Sequence, residues 1–181
     1  MRRIIWQSII LPVLGLILNS LRYLLVKEKW NEVNPLILYT VQHVLVLRLL
    51  ICYKFQSADV LHNLLFLVAA AKDEEQPIGF YDFVRTRNGA YSKTLQKIVE
   101  DLKEEKLVVE KEDLLQITEK GRHVYTNLGA SLRAFSAFWD LCVDIMESYQ
   151  GDPQKIKEGV FHHITFRRVR IGEHIFDYCW Y

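Results

Sequence analysis

The stretch over residues 77–125, PIGFYDFVRTRNGAYSKTLQKIVEDLKEEKLVVEKEDLLQITEKGRHVY, constrains the fold more than any other part of the chain, because its apolar residues change period along its length. A short helix is predicted over residues 79–85, closed by the turn Arg87-Asn88-Gly89, since Asn and Gly accept the positive φ that a sharp reversal needs. A second helix is predicted over residues 91–106. There Leu95, Ile98, Val99 and Leu102 recur at three- and four-residue spacing and form one stripe to bury. Two β-prone runs follow, Leu107-Val108-Val109 and Leu114-Leu115-Gln116-Ile117, separated by a charged segment, which is a hairpin signal. Thr118 stands where a helix N-cap belongs, with Glu119 in the first turn.

Helix, turn, helix, hairpin, helix is the plan of a winged helix-turn-helix. The segment LLQITEKGR (residues 114–122) resembles the wing-to-helix junction of winged-helix regulators of the MarR and PadR type. Arg87-Asn88-Gly89-Ala90-Tyr91-Ser92, ahead of LQKIVEDLKEEKLV (residues 95–108), resembles the entry to their recognition helix. The resemblance covers about residues 58–128. It implies a DNA-binding transcriptional regulator that acts as a homodimer and places the helix beginning near Tyr91 in a major groove.

The expected fold class is mainly α with a small β-hairpin wing. Residues 57–128 form the winged helix, preceded by a hydrophobic helical hairpin (1–56). A long C-terminal packing or dimerisation helix (129–150) and a tail read as a β-hairpin (151–181) follow it. Residues 4–21 contain no charged side chain and meet the length of a membrane span, and residues 35–53 form a second apolar run that carries Gln42, His43 and Arg48. A secretory signal peptide is a rival for the basic start and first apolar run, though no A-x-A-like cleavage site follows, and two further readings stay open for residues 4–53. In one they form a membrane hairpin with Arg2, Arg3 and Lys54 on the cytoplasmic side; in the other they form a soluble dimer interface, which tolerates such polar groups better than hydrocarbon does. The expected location is the cytoplasm or the cytoplasmic face of a membrane. The three cysteines, Cys52, Cys142 and Cys179, have no paired spacing and give no disulfide framework.

Residues 58–72 read as the first helix of the winged domain, and His43 and His62 as satisfied core or interface histidines. In residues 130–150, Leu132, Phe135, Phe138, Trp139, Cys142, Ile145, Met146 and Tyr149 form the stripe of a helix that packs on a partner helix.

The candidate DNA-contacting residues are Arg85, Arg87, Asn88, Ser92, Lys93, Thr94, Gln96 and Lys97, which cluster at the start of the second helix. The same helix turns acidic at Glu100, Asp101, Glu104 and Glu105. Arg167, Arg168 and Arg170 form a separate basic cluster suited to phosphate backbone or anionic lipid. Against a DNA reading, the formal net charge is only +1, residues 58–128 carry 13 acidic against 10 basic side chains, and the hairpin tip Glu110-Lys111-Glu112-Asp113 is net acidic. The alternative is a membrane-anchored module whose winged helix binds a protein. No catalytic motif and no cofactor signature is present, and His162, His163, His174 and Cys179 are not read as a metal site because adjacent strand residues point to opposite faces.

Overall fold

The computed structural model describes residues 35–71 and 81–176. They build a mostly helical fold with two small antiparallel hairpins: α1 (Pro35–Cys52), α2 (Ala58–Ala70), β1 (Val84–Arg85), β2 (Ala90–Tyr91), α3 (Lys93–Glu104), β3 (Val108–Lys111) and β4 (Leu114–Ile117). After these come α4 (Glu119–Leu128), a 3₁₀ segment (Gly129–Phe135), α5 (Ser136–Ser148), α6 (Pro153–His162) and α7 (Ile164–Arg168). The apolar run of residues 4–21 lies outside the described residues.

Helix α1 is apolar on every side, and such a helix has to be covered on every side. Val41, Val44, Leu45, Val46, Leu47, Leu49 and Leu50 are all buried, and the helix packs against α3, β4, α4 and the 3₁₀ segment. Its polar residues have internal partners. The ring of His43 is held by Nδ1 against Tyr39 O at 2.7 Å, Tyr39 donates its hydroxyl to Asp101 Oδ2 at 2.6 Å, and the Arg48 guanidinium lies 3.8 Å over the Trp139 ring. The second half of the expected hydrophobic hairpin is thus a core helix; no helix among the described residues is long and apolar enough to cross a membrane. The apolar run of residues 35–53 suggested a span in the sequence, and the elements packed around α1 supply its apolar surroundings from within the chain.

Helix α2 crosses the centre, with every residue from Leu61 to Val68 buried. Its Phe66 ring meets Phe83, Phe166, Phe176 and His163, so one side chain gathers the β1 segment, α7 and the segment that follows it. Around it, α3 buries Leu95, Ile98, Val99 and Leu102, the predicted stripe. The β3–β4 hairpin has the register Val108↔Ile117 to Lys111↔Leu114, and Leu115 N donates to Phe55 O at 2.9 Å, which ties the hairpin to the α1–α2 connection. Thr118 caps α4 as expected, its hydroxyl accepting from Gly121 N at 3.1 Å.

Three local expectations are corrected. Residues 84–85, placed in a short helix, are strand: the antiparallel pairs Val84↔Tyr91 and Arg85↔Ala90 make a hairpin where a helix-turn-helix entry was expected. The helix over 130–150 starts as a 3₁₀ turn and becomes α-helical only at Ser136. Its stripe, including Leu132, Phe138, Cys142 and Met146, is consumed in the chain's own core, where α5 packs on α2. The terminal β-hairpin is absent from the described part of the tail. Asp152 caps α6 by accepting from Gln154 N and Lys155 N, Pro153 takes the first helical position, and Ile156 and Val160 fall one turn apart on the buried face. The β-branched composition that suggested strands is overridden by this helical spacing and by the pocket α2 offers it.

Leu45→Ala removes a buried side chain from the middle of α1 and is expected to destabilise the fold by about 2–5 kcal/mol. Urea unfolding followed by circular dichroism measures this, and an unchanged midpoint would contradict the core placement of α1.

Candidate nucleic-acid interface

The start of α3 is held by two adjacent polar residues of α2, His62 and Asn63, which are 1% and 4% exposed. Asn63 Oδ1 accepts from Ala90 N at 3.0 Å, and His62 Nδ1 accepts from Ser92 N at 3.0 Å. An acceptor Nδ1 leaves the proton on Nε2, which faces Gln96 Oε1 at 3.4 Å, so the geometry selects the neutral Nε2–H tautomer. Burial lowers the His62 pKa, against the smaller upward effects of Gln96 and Asp59. Ser92 is itself fully buried and caps α3 by accepting from Leu95 N at 3.3 Å. Gly89 has φ 140°, and a Cβ there would fall 2.3 Å from Asn63 Oδ1; glycine is what lets the turn close onto α2.

This scaffold presents Arg87 and Asn88 exposed on the turn, then Tyr91, Lys93 and Lys97 exposed, with Thr94 and Gln96 half-buried between them. The Tyr91 ring stacks on His62 at 5.0 Å and is fixed in place. Gln96 is committed to Glu100, which it reaches at 2.8 Å, and the Lys97 ammonium lies 5.9 Å over the Tyr39 ring. Of the acidic residues toward the end of α3, Asp101 is taken by Tyr39 and the C-cap Glu105 by Lys120, while Lys103 pairs with Glu110. Positive charge therefore sits at the N-terminal end of α3, where the helix dipole adds to it. Beside Asp101, His43 Nε2 lies 3.6 Å from the carboxylate, outside hydrogen-bond range. Desolvation outweighs that carboxylate and lowers the His43 pKa.

Two of the residues expected to reach DNA are structural. Ser92 is the buried cap just described. Arg85 turns away from the α3 face: its Nη1 donates to the carbonyls of Phe166, Arg167 and Val169 at 3.2, 3.2 and 2.6 Å, and its guanidinium lies 4.9 Å over the Phe166 ring. That is a cation closing the C-terminal end of α7. The same contact holds the segment that bears exposed Arg167, Arg168 and Arg170 against β1, the first strand of the hairpin whose turn bears Arg87. Tyr91 was missing from the expected set; its place immediately before the capping Ser92 is the sequence signal that marks it. Among the described residues no group of three or more His, Cys, Asp or Glu is placed to hold a metal ion. His162, His163 and His174 go separately to Glu158 O, Thr165 N and Asp82, and Cys179 lies outside the described residues.

No family model matches the chain, and comparison with curated proteins and with solved structures returned no match.

The depressed His62 pKa ties stability to pH. Below the unfolded value of about 6.5 the unfolded chain takes up a proton that folded His62 refuses, so stability falls as pH drops through that value toward the folded one. His62→Gln is expected to flatten this acid limb in urea midpoints measured from pH 7.5 to 5; a limb of unchanged steepness would show that His62 does not contribute to it.

Proposed function

We propose that the protein is a DNA-binding winged-helix regulator in which α3 is the recognition helix and β3–β4 the wing. The observation that carries this reading is the exposed, basic, firmly capped N-terminal end of α3, where Arg87, Asn88, Tyr91, Lys93, Thr94 and Lys97 surround a helix start fixed by His62 and Asn63. Helix N-termini with adjacent cations suit phosphate oxygens, and the first turns of a recognition helix are the part that reaches base edges. Arg87 and the lysines set register on the backbone; Asn88, Thr94 and Tyr91 are the side chains able to read bases or sugars. Action as a homodimer on paired half-sites belongs to the same reading, with the contact between copies made by surfaces other than the buried stripe of α5.

A second reading rests on the acidic β3–β4 tip, where Glu112 and Asp113 are exposed. It makes the same fold a protein-binding module with a basic partner.

The full-length double variant Lys93→Ala/Lys97→Ala separates the two. On the DNA reading, wild type binds duplex with an affinity that falls steeply with salt. The log–log salt slope shrinks by about 0.9 for each lysine that no longer neutralises a phosphate, about 1.8 for both. Fluorescence anisotropy on a labelled duplex between 50 and 200 mM salt measures it. Duplex binding that is undetectable or independent of salt would favour the protein-binding module.

A further inference from the structure

The C-terminal segment holds a well-fixed turn that the α3 face does not use. Glu173 N donates to Arg170 O at 3.1 Å, and Gly172 at φ 92° supplies the positive φ that closes residues 170–173. Three further bonds fix it: Arg170 N to Glu173 Oε2 at 2.9 Å, Gly172 N to Arg85 O at 2.8 Å and Arg85 N to Glu173 O at 3.0 Å. On this frame Ile171 is 59% exposed, with Arg167, Arg168 and Arg170 exposed beside it. Turn tips favour Gly, Pro, Asn, Asp and Ser. A β-branched apolar side chain held in water on a fixed backbone contributes little to the fold.

Its position gives it a use. Gly172 is bonded to Arg85, Arg85 pairs with Ala90, and Ala90 lies two residues before the Ser92 cap of α3. The tail thus lies along the outer edge of β1, through these bonds and the single antiparallel bridge Val84↔His174, and sits two strand spacings, about 10 Å, to one side of the start of α3. The major groove is about 12 Å wide and the minor groove about 6 Å. An element at that offset from a helix end in the major groove meets the phosphate backbone and the edge of the neighbouring minor groove. The β3–β4 tip is unsuited to that contact, since Glu110, Glu112 and Asp113 would face phosphates.

Resting on the DNA reading above, we propose that the turn over residues 170–173 is the minor-groove element of this protein: Ile171 wedges against a base step while Arg167, Arg168 and Arg170 neutralise the flanking phosphates. The ligand is duplex DNA with a flexible pyrimidine–purine step at that position, because such steps unstack at least cost.

The test uses the full-length protein and a duplex carrying 2-aminopurine beside a central TA step, with wild type, Ile171→Ser, Arg170→Ala and Lys93→Ala/Lys97→Ala compared. Since Ile171 is exposed, thermal melts should be unchanged by its substitution. Wild type is expected to raise 2-aminopurine fluorescence. Ile171→Ser should abolish that rise and weaken binding about tenfold without changing the salt slope, because an apolar contact releases no counterions; Arg170→Ala should lower the slope by about 0.9. If wild type binds and Ile171→Ser matches it in affinity and fluorescence, the wedge is wrong and the α3 reading stands. Absence of duplex binding by wild type removes both. Binding of wild type to phosphatidylserine vesicles but not to duplex, abolished in Ile171→Ser, would overturn the proposal in favour of a lipid-facing turn.

Discussion

Two consecutive polar side chains in a buried helix, His62 and Asn63, hold the arrangement on which the rest depends. A hairpin of two residues per strand has no independent stability in water. Here the backbone N–H groups of Ala90 and Ser92 each find a fixed acceptor on α2, so the hairpin and the first residue of α3 are set against the centre of the core. Removing either acceptor would leave a buried donor unpaired, which costs about 1–3 kcal/mol. The basic end of α3 is therefore positioned by a helix buried along most of its length, and its exposed side chains project from a fixed base.

Around this anchor, charge is sorted by non-local contacts. Arg85 donates from Nη1 to three carbonyls of α7 and its neighbourhood, drawing the arginine-rich C-terminal segment to the hairpin. The tail then pairs with β1 and the residue before it through Gly172, Glu173 and Ile175. On the other side, Tyr39 of α1 takes Asp101 of α3, so that acidic side chain belongs to the core face. A chain whose formal net charge is only +1 thereby acquires a locally basic edge. Net charge is a sum over the surface, and phosphate recognition depends on its local distribution.

Where the sequence could be read, the physics was local. The stripe Leu95, Ile98, Val99 and Leu102, the hairpin over residues 108–117 and the Thr118 cap each depend on residues within a few positions of one another, and each is found. Where it misled, the deciding contacts were distant. Residues 84–85 carry no alternation of their own and become strand because Ala90, Tyr91 and the tail pair with them. The tail from Val160 is rich in strand formers, yet Asp152, Pro153 and the buried pair Ile156 and Val160 start a helix that runs on through His162 once α2 is alongside. Arg85 and Ser92 were plausible DNA-facing residues by spacing alone, and only their surroundings in the fold show that both are occupied within it.

Side-chain period, caps and charge order are properties of adjacent residues, so the order of residues was enough to place α3, the β3–β4 hairpin and α4, and to show where α3 is basic and where it is acidic. Packing alone decided that residues 35–52 are a core helix, that the stripe of α5 is spent within the chain, and that the segment carrying Arg167, Arg168 and Arg170 lies against Arg85. An apolar helix has the same sequence signature whether lipid, a second copy or its own neighbours cover it. Which of these covers α1 and α5 is fixed by contacts among elements far apart in the chain.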